Sequence, residues 1–103
     1  MLWKKERYIV LIHGGKGMVI ANPEHGLIQQ LIVCPKSGDT IWSMDIMDRD
    51  DDCIYAIKDY EGQLNDREGI PVGKDQTEKL TIKFYELTKN EDMKVIFNIK
   101  EVR

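Results

Sequence analysis

Apolar and polar side chains alternate most regularly in the C-terminal third of the chain. Every second residue is apolar in two stretches, at Leu80, Ile82 and Phe84 and again at Met93, Val95, Phe97 and Ile99. Because successive residues of a strand point to opposite faces of a sheet, this period predicts strands with one buried and one solvated side. We expect the two stretches to pair as one antiparallel hairpin over Leu80–Val102, with Phe84 and Phe97 in the core.

Shorter segments of the same kind precede this one, and Gly, Pro, Asn and Asp separate them. The predicted strands are Tyr8–His13, Met18–Ala21, Leu27–Cys34, Thr40–Met47, Cys53–Lys58 and Ile70–Val72. About seven or eight short strands at close spacing predict one all-β domain, an antiparallel β-sandwich or jelly roll. Residues 1–7 stand outside this pattern and are expected to form an N-terminal arm.

The segment 23–34 fits two structures. Asn22-Pro23-Glu24 resembles the start of a helix, and the apolar residues that follow recur at helical spacing. Against a helix, Gly26 would fall in its first turns, and the β-branched pair Ile32-Val33 favours a strand. We predict the strand, and one short helix is the alternative.

The composition is that of a globular, cytoplasmic protein. Of the 103 residues, 42% are hydrophobic and 32% are charged, which argues against disorder, and a net charge of −3 argues against a nucleic-acid-binding protein. The longest apolar run, Tyr8–Ile12, is too short to span a bilayer, and the N-terminus lacks a signal-peptide core. Cys34 and Cys53 are expected to be reduced.

Two local features, a glycine-rich turn and a pair of histidines, each match only part of a known binding motif. The turn His13–Gly17 is rich in glycine but lacks the Ser or Thr that a P-loop requires after Lys16, so we interpret it as an inter-strand turn. His13 and His25 lack the spacing of a helical zinc site. No cofactor is expected.

The acidic run Asp48–Asp52 has alternate carboxylates that could bind Ca²⁺. An EF-hand loop beginning at Asp48 would need Gly and Glu where Cys53 and Asp59 stand, so a solvated loop is expected and an opportunistic divalent ion is the alternative. No metal should be needed for folding.

The aromatic residues divide into two groups. Trp42 shares its parity with Met44 and Ile46 and is predicted to be in the core. Trp3 lies among cations ahead of the predicted strands, where it could anchor a partner, because interfaces favour Trp and Arg. The predicted partner-binding residues are Trp3, Lys4, Lys5 and Arg7. Alternatively, Trp3 folds back onto its own sandwich.

The order of segments resembles a known group of proteins. Gly26-Leu27-Ile28 opens a segment that ends at Val33-Cys34-Pro35, Thr40-Ile41-Trp42 opens the next, and Ile70–Gly73 precedes the C-terminal strands. Over residues 8–102 this order is similar to small β-sandwich virion proteins of tailed bacteriophages, notably capsid decoration (cement) proteins. The resemblance implies a non-enzymatic protein that is assembled in the host cytoplasm, binds an icosahedral shell and is often a trimer.

Three function classes follow from these observations. The first is a structural or interaction protein, a homo-oligomer that binds a capsid or other virion protein. The alternative is a small ligand- or carbohydrate-binding β-sandwich, which would carry aromatic residues on outward strand positions; Tyr85 is the clear case here. A small enzyme is the third class, and the sequence contains no local catalytic motif that favours it.

Overall fold

The computed structural model describes residues 3–22, 26–67, 70–72 and 79–100, and these residues form nine strands and no helix. The strands are β1 (Trp3–Val10), β2 (Gly17–Ala21), β3 (Gly26–Pro35), β4 (Ile41–Met47), β5 (Cys53–Glu61), β6 (Leu64–Asp66), β7 (Ile70–Val72), β8 (Leu80–Tyr85) and β9 (Met93–Lys100). The all-β prediction is therefore confirmed. Among the described residues, no helix is long and apolar enough to cross a membrane.

The strands pair in a nested order, first with last. β1 pairs with β9, β2 with β8, β3 with both β6 and β7, and β4 with β5, and every pair is antiparallel. Since β6 and β7 share one partner, they occupy the place of one interrupted strand. The chain is thus one long folded ribbon whose tip is the acidic run Asp48–Asp52.

Two further pairings roll this ribbon into a sandwich. β3 also pairs with β9, and β4 also pairs with β8. The result is a five-stranded sheet, in the order β1-β9-β3-β6 with β7 beside β3, and a four-stranded sheet in the order β2-β8-β4-β5. A nested ribbon rolled into two sheets is a jelly roll, one of the two architectures that the sequence predicts.

The core lies between the sheets and is built from the inward residues of both. Trp42, Phe84 and Phe97 are its largest side chains, and each is at most 1% exposed. The Trp42 indole donates a hydrogen bond of 2.8 Å to the carbonyl oxygen of Gly62, which satisfies its polar atom. The remaining core residues are Val10, Ile12, Ala21, Ile28, Leu31, Val33, Met44, Ile46, Leu64, Leu80, Ile82, Met93, Val95 and Ile99.

The predicted C-terminal hairpin is wrong, although its buried residues are right. β8 lies in the four-stranded sheet and β9 in the five-stranded sheet, so the two strands face each other across the core and do not pair. The alternation of apolar residues determines which side of a strand is buried, and both strands bury the predicted side. The alternation does not determine which strand lies alongside, because that depends on whether the connection between two strands stays in one sheet or crosses to the other.

The predicted arm is also wrong for the residues that the structure describes. β1 begins at Trp3 rather than Tyr8, and Trp3 is paired with Lys100. The pattern hides this strand because its inward positions include Lys4 and Glu6, which are only half-buried near the end of the sheet. Charged residues therefore fall on both faces, and no alternation marks the strand.

The segment after Gly26 is a strand, as predicted. β3 runs through Pro35 and pairs with β9 along most of its length. A register irregularity between Ile28 and Gln30 accounts for the break in its alternation. The predicted helix start at Pro23-Glu24 lies outside the described residues.

Replacing Phe97 by Ala should lower the free energy of unfolding by about 3–5 kcal/mol, because the ring is fully buried and packs against Tyr8. Urea titration measures the loss. Ile9→Ala is the matched control, since Ile9 lies in the same sheet but is 52% exposed, and it should cost less than about 1 kcal/mol. Similar losses for the two variants would contradict the assignment of Phe97 to the core.

Candidate functional site

The four predicted partner-binding residues lie on β1, an edge strand of the five-stranded sheet. Lys5 and Arg7 are exposed and share a parity that points away from the core. Lys4 has the opposite parity and is half-buried, next to Ile99 in the register. The side chain of Trp3 lies outside the described part of the structure. The structure therefore brings Lys5 and Arg7 together on one face and separates Lys4 from them.

The outward side of the five-stranded sheet carries further cations. Lys94 and Lys100 extend from β9, beside the outward residues of β1. We call the surface formed by Lys5, Arg7, Lys94 and Lys100 the basic face. Apolar side chains lie among these cations, and they are Ile9, Ile32 and Ile96.

A row of amides crosses the same side of the sheet. The amide of Asn98 donates a hydrogen bond of 2.7 Å to Gln30 Oε1, and the amide of Gln30 donates one of 2.8 Å to Asn65 Oδ1. These bonds connect β9, β3 and β6 and stiffen the outward surface. No sequence pattern marks this row, because its members come from three distant segments.

The charge of the basic face is not balanced within its own strands. Among the described strand residues of this sheet, no outward position holds a carboxylate: Glu6 and Asp66 have inward parity, opposite Phe97 and Leu31. No ion pair within the described residues involves Lys5, Arg7 or Lys94. The basic face is therefore a positive surface on a chain whose net charge is −3.

An open groove borders the basic face at one corner. It is lined by Ile9, Cys34, Pro35, Lys36, Asp92 and Lys94. The carboxylate of Asp92 is the acidic group at this corner, and it lies in the connection before β9. The groove is partly open to solvent and continues the surface of the basic face.

Tyr8 lies on the inward side of β1, beneath the basic face. Burial raises the pKa of its phenol, and the neighbouring Glu6 carboxylate, which accepts its hydrogen bond at 3.1 Å, raises it further. The phenol is therefore neutral across the physiological range. It acts as a hydrogen-bond donor and a packing group against Phe97.

The acidic run forms the tight turn between β4 and β5, and Asp48 organises it. Asp48 Oδ1 accepts hydrogen bonds from the backbone N–H groups of Asp50 at 2.9 Å and Asp52 at 3.0 Å. Asp51 adopts a positive φ of 61° at the centre of the turn. Among the described residues, no group of three His, Cys, Asp or Glu side chains is arranged to hold a metal ion. The carboxylate of Asp48 is therefore hydrogen-bonded to backbone N–H groups of its own turn.

The glycine-rich segment is an inter-strand turn, as predicted. His13 and Lys16 form a β-bridge around Gly14 and Gly15, whose φ angles of 61° and 75° suit glycine. The amide of Gly15 donates a 2.8 Å hydrogen bond to Asn90 Oδ1. That N–H group is therefore engaged by the protein and does not form a phosphate cradle.

The remaining chemically reactive residues do not converge. His13 is exposed, and His25 lies outside the described residues. Cys34 and Cys53 are free thiols in different sheets, with Cys34 half-buried and Cys53 exposed.

Several connections meet at one end of the sandwich, and Glu91 joins two of them. Its carboxylate accepts hydrogen bonds from the backbone and hydroxyl of Ser37, at 3.1 and 3.0 Å, and from the hydroxyl of Thr40. The Thr40 bond and those from Ser37, with the nearby charge of Lys89, lower the pKa of Glu91 below its ordinary value. Sequence reasoning missed this residue because its partners are 51 and 54 positions away.

The outward aromatic position predicted at Tyr85 is half-buried. Its hydroxyl donates a hydrogen bond of 3.3 Å to Asp45 Oδ1. The other described aromatic side chains, Tyr8, Trp42, Tyr55, Tyr60, Phe84 and Phe97, are all buried in the core or packed against it. The described side chains thus form no aromatic platform of the kind that binds sugar rings.

No protein-family model matches the sequence, and no curated protein matches it.

Replacing Asp48 by Ala should destabilise the protein by about 1 kcal/mol, because two backbone donors of the turn lose their acceptor. Asp48→Asn keeps an oxygen at that position and should recover most of the loss. Asp50→Ala is the control and should change the free energy of unfolding by less than about 0.5 kcal/mol. Equal effects at Asp48 and Asp50 in urea titrations would contradict the role of Asp48.

Glu91→Gln should destabilise the protein in a pH-dependent way. Because folding lowers the pKa of Glu91, its carboxylate stabilises the fold above the ordinary glutamate pKa, and this contribution is lost as the pH falls through the lowered value. The difference in urea midpoint between wild type and Glu91→Gln should therefore be larger at neutral pH than in acid. Glu86→Gln serves as the control. A difference that stays constant with pH would contradict the assignment.

Proposed function

We propose that this chain is a non-enzymatic interaction protein, and specifically a virion component of a tailed bacteriophage of the capsid decoration (cement) type. The observation that carries the proposal is the basic face, a set of cations on paired strands without acidic partners in those strands; Lys5, Arg7 and Lys94 are exposed and Lys100 is half-buried. Such a surface is complementary to an acidic surface on another macromolecule.

The shape of the basic face favours a macromolecular partner over a small ligand. Small-molecule sites are concave and enclose most of their ligand. The basic face is instead the outside of a sheet, stiffened by the amide row from Asn98 through Gln30 to Asn65. A stiff, open surface loses little conformational entropy when it meets another flat surface.

Among the described residues, the inward strand positions do not form a competing ligand site. The inward positions of β8 and β9 are all apolar and buried, and those of β4 that face them include Trp42, Met44 and Ile46. A jelly roll that binds a ligand between its sheets needs polar groups and space at these positions. Here close-packed side chains fill them, which supports a function carried by the outside of the molecule.

The proposed partner is an acidic region of a shell protein. Jelly rolls include viral capsid domains, but they also include lectins and enzymes, so the fold is compatible with the proposal and does not by itself establish it. Localisation in the virion and a trimeric state remain parts of the proposal. The carbohydrate-binding alternative gains no support from Tyr85, whose hydroxyl is engaged by Asp45.

The test uses shells assembled from a major capsid protein encoded in the same genome as this chain; a genome that encodes none would overturn the proposal. We expect the wild-type protein to sediment with such shells at low salt, with binding that weakens as NaCl screens the charges. The double variant Lys5→Glu/Lys94→Glu should reduce the affinity by about tenfold or more, because it reverses two charges of the basic face.

The control is Arg67→Glu/Lys79→Glu, which changes the net charge equally at two exposed cations outside the basic face. This variant should bind shells as the wild type does. Equal losses for the two double variants would mean that net charge, and not the basic face, governs binding. Failure of the wild type to sediment with shells at any salt concentration would overturn the proposed function.

A further inference from the structure

The two outer strands of the four-stranded sheet have unusual surfaces. On one side the sheet ends at β2, which exposes 60% of Met18 and 49% of Ile20. The β2 sequence Gly-Met-Val-Ile-Ala contains no charged residue and no proline, and it pairs with β8 without irregularity. Edge strands normally carry charges, proline or bulges that prevent pairing with another strand. From Met18 to Ala21, β2 therefore presents an unprotected edge, whereas the backbone of Leu11 lies against its first residue, Gly17.

The opposite edge of the same sheet is β5. It exposes Ile54, at 36%, together with Cys53 and Ala56. Its end carries the exposed carboxylates of Asp59 and Glu61, and the acidic run ends where β5 begins. Lys58 is also exposed on this strand. The β5 edge therefore combines apolar residues with two carboxylates and one lysine, and the acidic run adjoins it.

The β2 edge has the complementary charge. Lys16 comes directly before β2, and Lys83 lies beside Met18 in the register. Both lysines are exposed, and β2 itself contributes no carboxylate. Both edges expose apolar residues. The charges around them are complementary, with lysines at the β2 edge and carboxylates at the β5 edge.

The strand directions also match. β2 is antiparallel to β8, β8 to β4, and β4 to β5, so β5 runs antiparallel to β2. A second copy of the chain in the same orientation would place its β2 antiparallel to β5 of the first. The free backbone groups of both edges would then pair as a continuous antiparallel sheet.

We propose that copies of this chain assemble head to tail, with the β2 edge of one copy against the β5 edge of the next. This inference deepens the proposed function by assigning the surface through which the protein binds itself. The contact uses two different surfaces of each copy, so it is heterologous and forms a closed ring when the rotation between copies closes. The basic face, on the other sheet, stays free for the shell.

Two edge variants test the proposal. Ile20→Glu places a carboxylate on the β2 edge, where it would meet the acidic β5 edge, and Ile54→Lys places an ammonium group on the β5 edge. Wild-type protein should show a multiple of the 12.0 kDa chain mass in light scattering after gel filtration. Each variant alone should be a monomer.

Mixing the two variants gives the decisive result. Ile20→Glu protein keeps an intact β5 edge and Ile54→Lys protein keeps an intact β2 edge, so one unchanged contact remains. At the other contact the introduced carboxylate meets the introduced ammonium group, and these opposite charges attract. The mixture should therefore assemble although each variant alone does not. Ile9→Glu, at an exposed apolar residue of the other sheet, is the control and should assemble as the wild type does.

Three outcomes would overturn the proposal: a monomeric wild type, a mixture that stays monomeric, or disruption by only one of the edge variants. Circular dichroism verifies the fold, and Ala56→Lys replaces Ile54→Lys if the latter unfolds. The shell assay separates the two proposals. Assembled wild type that does not bind shells would overturn the proposed function alone, whereas a monomeric wild type that binds shells would overturn head-to-tail assembly alone.

Discussion

Backbone pairing between the two halves of the chain is the constraint on which the rest of this structure depends. Each strand of the first half pairs with its counterpart in the second half, from β1 with β9 inward to β4 with β5. Only the innermost pair is joined by a short turn. Because closing a loop costs more entropy as the loop lengthens, we expect β4 and β5 to pair before the outer strands do. The hydrogen bonds of Asp48 therefore stabilise the turn from which the remaining pairs extend.

Hydrogen bonds between the connections add to the backbone pairing of the strands. Glu91 holds the connection before β9 to the one before β4, and the backbone of Leu87 donates to Gly15 at 3.0 Å. The Trp42 indole and the Thr40 carbonyl both bind the turn at Gly62. These bonds join the connections at one end of the sandwich to one another, and buried apolar side chains from both sheets lie between the sheets. The paired strands in turn position the outward cations and the two edges.

The sequence predicts which side of a strand is buried better than it predicts which strands lie side by side. The alternation at Phe84 and Phe97 identifies the buried sides of β8 and β9, because a strand's two faces are determined by local geometry. Which strands lie side by side depends on contacts such as those of Glu91, and their sequence separation leaves no local pattern. Lys5 and Arg7 are predicted, with Trp3 and Lys4, as partner-binding residues of an N-terminal arm. The basic face became visible only when β9 placed Lys94 and Lys100 beside them.

The pairing of β1 with β9 also determines how the protein responds to mechanical load. Trp3 and Lys100 are partners in the register, so the two strands leave the sheet at the same end. A force that pulls these two residues apart acts along the hydrogen bonds, which lie perpendicular to antiparallel strands. It loads one pair at a time, and the strands unzip instead of shearing together. The pairing of β1 with β9 is thus the mechanically weak part of the sandwich. The β4–β5 pair, at the tip of the nested ribbon, bears the force last.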